Sequence, residues 1–281
     1  MPSLEALGSA GHEIALVVSQ PDRPGHRLRV TPPPVKTAAL KLGLPVFQPE
    51  KVRDPGAIER IAAARPDLLV VAAYGQIIPR DLLALAPKGA LNVHASLLPR
   101  WRGAAPVNRA ILAGDTETGV TIMRMDEQLD HGPILARRAT AILPGEAAPA
   151  LTGRLAELGA GLLVEVLEDL GGGQPAEQDH DAATLAPRLR KEEGRIDWSL
   201  PAAVIDRRVR GLSPWPGTTA MIAGREVKLL RGRPVPGSGK PGEVVDRRRQ
   251  GLVVACGEGA YLVEEVQLPG RRPMPARQLL P

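Results

Sequence analysis

One cysteine in 281 residues, Cys256, excludes an internal disulfide and any multi-cysteine zinc site. Aromatic residues are scarce as well, at 2%, so a chain that is 43% hydrophobic must fill its core with aliphatic side chains. Function then has a claim on several of the few aromatics. The five histidines, His12, His26, His94, His131 and His180, show no ligand spacing such as HExxH, and no metal is expected. No apolar run approaches the roughly 18 residues of a membrane span, and the first residues lack the basic, then apolar, then small succession of a secretory signal. A cytoplasmic protein without a membrane partner is expected. No internal repeat is present. Neither glycine-rich stretch, "GTTAMIAG" or the triple glycine at 171–173, follows a strand and opens a helix, which argues against a bound dinucleotide.

What is present is unevenly charged. From Gly194 onward there are 15 Lys and Arg against 8 Asp and Glu, while the preceding residues carry 21 against 23. A near-neutral first part and a basic second part fit a tail that meets a polyanion such as nucleic acid. A solubilised small β-domain fits the same balance.

Through the first part, short apolar runs alternate with helical patterns. "HEIALVVSQ", "LPVFQPE" and the runs around Val70 and Val93 read as strands. "PPPVKTAALKLGL", "DPGAIERIAAARP" and "APVNRAILAGD" read as helices, and "ETGVTIMRMD" as a further strand. Strands separated by helices predict a doubly wound parallel sheet. Leu151, Leu155, Leu158, Leu162, Leu163, Val166, Leu167 and Leu170 form one apolar stripe of a long helix. A catalytic domain over 1–171, an aperiodic linker over 172–193 and a second domain over 194–281 are expected. Five short strands, each bounded by Gly or Pro, predict a small barrel or sandwich in the last of these.

The densest polar cluster lies in "ALNVHASLLPRWRGAAPVNRAIL", residues 90–112. Asn92 and His94, two apart on a strand, project to one face, and an amide beside an imidazole can clamp an oxyanion. A pair that only hydrogen-bonds a loop has the same spacing. Asp130, in the Gly-Pro loop "MDEQLDHGPIL", is placed to reach His94 and set its charge state. Asp126, Glu127 and His131 compete for that role. The proline-rich loop over 21–36 carries Arg23, Arg27, Arg29 and Lys36, spaced as cations that follow a phosphate backbone or simply face solvent. Trp101 stands between two arginines, a ligand-side position, whereas core packing is expected for Trp198 and Trp215.

With these residues in view, the chain resembles the methionyl-tRNA formyltransferase family. The matching stretches are "SLEAL", "GHEI", "VVSQPDRP", "PPPVK", "GLPVFQPEKVRDP", "VVAAYGQIIP", "NVHASLLPRWRGAAPVNRAIL", "TGVTIMRMDEQLDHGPIL", "KEEGRIDW" and "RGLSPWPGT", which run over almost the whole length. The block containing "SLLPRWRGAAP" is specific for folate-dependent formyl transfer. "GRIDW", "PWPGT" and the basic β-domain favour the tRNA enzymes over their relatives.

The resemblance implies transfer of a formyl group from 10-formyltetrahydrofolate to the α-amine of methionine on initiator tRNA. It implies a Rossmann-like domain, an OB-like barrel that helps hold the tRNA, and a monomer. The family's catalytic Asn, His and Asp fall on Asn92, His94 and Asp130. Its folate-contacting run falls on Ser96, Leu97, Leu98 and Pro99, and its acceptor-end clamp on residues 21–36. Members begin with a strand and a Gly-Thr-Pro turn ahead of the helix that here opens at "PSLEAL". That strand would lie between neighbours in mid-sheet, so a true start upstream of Met1 is expected. The clamp loop is shortened near "RPGHRLR" and the C-terminus stops soon after "RRPMPARQLLP", departures that bear on tRNA affinity. The alternatives are a formyltransferase acting on a sugar amine or glycinamide ribonucleotide, and a noncatalytic RNA-binding remnant.

Overall fold

The computed structural model describes residues 1–24, 30–172 and 174–280. Two compact units emerge: Met1–Ala104 with Gly119–Thr140 and Gly153–Ala186, and Ala105–Thr118 with Ala141–Thr152 and Pro187–Pro281. Among the described residues no helix is long and apolar enough to cross a membrane.

In chain order, the first unit begins with α1 (Pro2–Ser9), β1 (Val17–Val18), β2 (Arg23–Pro24), β3 (Val30–Thr31), α2 (Pro34–Lys41) and β4 (Val46–Phe47). It continues with α3 (Pro55–Ala62), β5 (Leu69–Val71), α4 (Arg80–Leu83), β6 (Ala90–His94) and β7 (Arg102–Gly103). Proline occupies the first turn of α1, α2 and α3, where its missing N–H costs no hydrogen bond. Next come α5 (Pro106–Ala113), which belongs to the second unit, then β8 (Glu117–Arg124), β9 (Ile134–Ala141), α6 (Ala148–Glu168) and β10 (Leu185–Ala186).

The expected all-parallel sheet is only partly realised. β1 pairs with β4 and β5 with β6 in parallel, but β6 and β8 run antiparallel, with His94 opposite Thr121 and Leu91 opposite Arg124. After leaving β6 at His94 the chain re-enters the sheet at the same end, which reverses the strand. β9 closes the order β5-β6-β8-β9. The sequence reading missed β9 because Arg137 and Arg138 interrupt its apolar pattern and only Ile134 is buried. The β1/β4 pair forms a separate ladder. β5 is half-buried, and "HEIALVVSQ" contributes only two strand residues.

α6 lies on β6 and β8 through a glycine. A Cβ on Gly159 would fall 2.8 Å from Val93 Cγ1 and 3.1 Å from Val120 Cγ1. Leu151, Leu155, Leu162 and Leu163 of the expected stripe are buried. The 21–36 segment is not one irregular loop: β2 and β3 form a short antiparallel ladder, and Lys36 sits on α2. The expected linker is largely tied down as well. Ala176 bridges Ile134, and β10 pairs with β7.

The second unit adds α7 (Ala202–Gly211), β11 (Thr218–Ile222), β12 (Arg225–Val235), β13 (Val244–Arg248), β14 (Gly251–Ala255), β15 (Ala260–Gln267) and β16 (Met274–Pro275). All five strands expected from sequence are there. They order as β11-β12-β15-β14-β13, with β16 on β15, an open path instead of a closed barrel. The core is aliphatic around Tyr261 and Trp198, with Ile205, Ile222, Val227, Leu252, Val254, Val263 and Val266. Trp198 is buried and donates from Nε1 to Met221 O. Trp215, expected in the core, is 58% exposed.

Candidate active site

β6 delivers Asn92 and His94 to one face, two residues apart at the carboxyl end of the strand, where open α/β sheets bind their ligands. Asp130 comes from the loop after β8. Because β8 is antiparallel to β6, that loop starts at the far end of β6 and folds back along it. The Asp130 carboxylate then accepts from Asn92 Nδ2 through Oδ1 at 3.0 Å and from the Gly103 N–H through Oδ2 at 2.8 Å. The same Oδ1 stands 3.6 Å from His94 Nδ1. On its other side, His94 Nε2 is 2.9 Å from Trp101 O, which can only accept. His94 is 6% exposed and Asp130 12%, so these contacts operate with little competition from water.

Backbone strain marks the same spot. Trp101 and Asp130 both adopt left-handed conformations, with φ of 64° and 46°, which non-glycine residues hold only when their surroundings impose it. Gly103, at φ 118°, is obligatory, since a Cβ there would meet Ala186 O at 2.9 Å.

The rival groups of the loop are otherwise engaged. Asp126 Oδ2 is 2.7 Å from His131 Nδ1, and Glu127 pairs with Arg80 at the surface. The His131 ring stacks on His180 at 3.9 Å, inclined by 2°. Asp130 alone of the loop's acidic residues turns toward Asn92 and His94.

The Ser96–Pro99 run follows directly on β6. Thr121 Oγ1 pins it to β8 by donating to Ser96 O at 2.7 Å and accepting from Leu98 N at 3.1 Å. Ser96 and Leu98 are fully buried, and the Ser96 hydroxyl donates to Arg100 O. Leu97 and Pro99 are the half-buried members. The Arg100 guanidinium lies 4.4 Å over the Trp101 ring.

The four cations assigned to RNA are placed unevenly. Arg23 is exposed and donates to Gln20 Oε1. Lys36 forms a 2.7 Å ion pair with Asp22, whose carboxyl is held below its usual range first by the Gln48 amide and then by Lys36. Arg27 and Arg29 lie outside the described residues.

Sequence reasoning missed the groups that brace the site: Thr121, Thr184, Arg102 as a buried cation, and Gln178. Thr184 accepts from Trp101 N through its hydroxyl and from Arg102 N through its carbonyl. Arg102 lies within the dense polar block and was within reach of that signal. Gln178 and Thr184 come from an aperiodic stretch and gave none.

The family model described as "Formyl transferase" matches residues 3–167, and the one described as "Formyl transferase, C-terminal domain" matches 188–281. The chain is 47% identical over 282 residues to the methionyl-tRNA formyltransferase of Trichlorobacter lovleyi, covering 99% of this chain and 89% of the relative. It is 49% identical to that of Paracoccus denitrificans, covering 100% and 93%. Among solved structures, HypX from Aquifex aeolicus in complex with tetrahydrofolic acid is similar with a TM-score of 0.66 at 21% identity, covering 94% of this chain and 46% of that one. The N-formyltransferase of Helicobacter canadensis, in complex with folinic acid and dTDP-3-aminofucose, gives 0.68 at 14%, covering 94% of each. At these identities the two structures speak for the fold alone.

Proposed function

The chain belongs to the methionyl-tRNA formyltransferase family, which moves a formyl group from 10-formyltetrahydrofolate to the α-amine of methionine on initiator tRNA, and we propose that it does so with Asn92, His94 and Asp130. The observation that carries the assignment is the Asp130 carboxylate, which engages Asn92 and the Gly103 N–H at once and stands beside His94.

The donor set fits a formyl oxygen. An amide has two N–H donors, and Asn92 Nδ2 commits one of them to Asp130, with no second acceptor among the described residues. When bound, 10-formyltetrahydrofolate supplies an activated formyl carbon whose oxygen gains negative charge as the neutral amine attacks; as the carbonyl re-forms, the bond to the folate nitrogen breaks, that nitrogen gains a proton, the amine loses one, and tetrahydrofolate leaves. Asn92 turns its remaining N–H to that oxygen. His94 exchanges its contact with the neutral Trp101 carbonyl for one to a developing anion, and charge-assisted hydrogen bonds are about twice as strong as neutral ones. Asp130 keeps the amide aimed and balances the imidazole. These donors strengthen as charge develops, which is the condition for lowering the barrier.

Leu97 and Pro99, with the backbone of Ser96 and Leu98, form the folate-contacting run in this reading. Arg23, Arg27, Arg29 and Lys36 hold the acceptor end. The open antiparallel sheet of the second unit serves as an OB-like RNA-binding module, a type of barrel that is itself only partly closed. The enzyme works as a monomer in the cytoplasm.

Asn92→Ala and His94→Ala each remove one donor, a loss of about 3 to 4 kcal/mol or roughly 100- to 1,000-fold in kcat, with folate binding retained. Formylation assayed with charged initiator tRNA, and with an amino sugar in its place, checks both mechanism and substrate. Near-wild-type turnover in either variant removes that residue from the mechanism.

A further inference from the structure

Gln178 is 5% exposed, and all of its hydrogen-bonding capacity is spent on the two segments that flank the reacting groups. Its amide nitrogen donates to Asp130 O at 3.0 Å and to Gly132 O at 2.7 Å. Its amide oxygen accepts from Arg102 twice, from Nε at 3.2 Å and from Nη2 at 2.7 Å. Arg102, 8% exposed, also places Nη2 2.9 Å from His180 Nδ1. On one side of Arg102 is Trp101, whose carbonyl faces His94. On the other is Gly103, whose N–H meets the Asp130 carboxylate. Both bridged segments carry a left-handed non-glycine residue, and such conformations persist only where they are imposed from outside. Gln178 grips the carbonyls of Asp130 and Gly132 and anchors them to a buried guanidinium.

We propose that Gln178 is a positioning residue for formyl transfer: held by Arg102, it fixes the Asp130 peptide so that the carboxylate stays on Asn92 and beside His94. It acts through Asp130 and touches no reacting atom. The proposal rests on the assignment of Asn92, His94 and Asp130 made above.

The test is steady-state formylation by the full chain carrying Gln178→Glu. Glutamate keeps an oxygen for Arg102 but turns a second oxygen, where the donor was, toward the two carbonyls. A misplacement of this kind costs about 10- to 100-fold in kcat. KM for Met-tRNA and for the folate should stay within about twofold, as expected when only transition-state contacts are weakened. The pH profile of kcat should be displaced, because Asp130 no longer faces His94 as before. Arg102→Lys, which retains the charge but loses the fork, should shift both quantities the same way by less, and it stands in if Gln178→Glu does not fold. Glu177→Gln, exposed and adjacent, is the control at wild-type rates.

Wild-type kcat in folded Gln178→Glu and Arg102→Lys overturns the proposal. So does a fall in kcat that tracks loss of folded protein while the pH profile stays in place. Asn92→Ala run alongside separates the two levels. If it turns over like wild type, the site assignment fails and takes this inference with it; if it is inactive while both bracing variants are normal, the inference alone fails.

Discussion

Asp130→Asn tests the site at its centre. Asparagine is the right probe because it nearly matches aspartate in size and tolerates the left-handed backbone found at this position, where φ is 46°. Alanine would add backbone strain and confuse the reading. The carboxylate accepts two hydrogen bonds, from Asn92 Nδ2 at 3.0 Å and Gly103 N at 2.8 Å, in a position only 12% exposed. Hydrogen bonds to a charged group contribute about 1.5 to 3 kcal/mol each, and a stranded buried donor costs about 1 to 3 kcal/mol. Asparagine keeps one acceptor and points an NH2 at the other donor. The site then loses about 2 to 4 kcal/mol, and if most of this falls on the transition state kcat drops roughly 30- to 1,000-fold. Because Asp130 aims the Asn92 amide, Asn92→Ala and Asp130→Asn remove overlapping contributions. In the double variant kcat should lie within about threefold of the worse single one, in the way of residues that act as a unit. The assay is single-turnover formylation of Met-tRNA at saturating folate, with folate titration to verify an intact fold. Full multiplicativity of the two effects, or a single variant within about threefold of wild type, refutes the reasoning.

Two further expectations concern packing and charge. Gly159→Val pushes α6 off the sheet by crowding Val93 and Val120, and overpacking of this kind costs about 1 to 3 kcal/mol, read as a lowered urea midpoint with unchanged slope. The Glu193 carboxyl is held below its usual range first by the hydrogen-bonded Arg109 guanidinium. A carboxyl depressed in the folded state stabilises it above the unfolded pKa, about 4.3, and that contribution disappears as pH falls through the lower folded value. Glu193→Gln should therefore lower the urea midpoint at neutral pH and approach wild type in acid; a constant gap across pH contradicts the ion-pair origin.

The polar cluster was legible because spacing carries it: Asn92 and His94 sit two apart on a strand, and nothing but the strand is needed to bring them together. Asp130 was legible as one of four candidates. The family resemblance singled it out; choosing it from spacing alone would have required the antiparallel turn of β8, which depends on where the chain re-enters the sheet and leaves no periodic trace. The same limit applies to strand direction, since β8 reads as a strand whichever way it runs. Long apolar stripes such as that of α6 declare themselves, while β9, with two arginines and one buried residue, does not. The bracing groups were least visible. Gln178 interacts 48 residues from Asp130 and 76 from Arg102, and a buried amide between two distant segments has no local signature. Trp215 was misjudged because an indole is usually buried on average, and only the fold reveals that this one faces outward.

The return of residues 176–186 onto the first unit also has a consequence for biosynthesis. Ala176 pairs with Ile134, Gln178 grips the Asp130 loop, and β10 completes β7. A nascent chain emerging from its N-terminus thus exposes Asn92, His94 and Asp130 before it has made the segment that locks them. On the proposed role of Gln178, the brace is complete only when synthesis has passed Ala186. A truncation at residue 171, where the apolar periodicity stops, would keep the three groups named for chemistry and discard the brace that holds them in register.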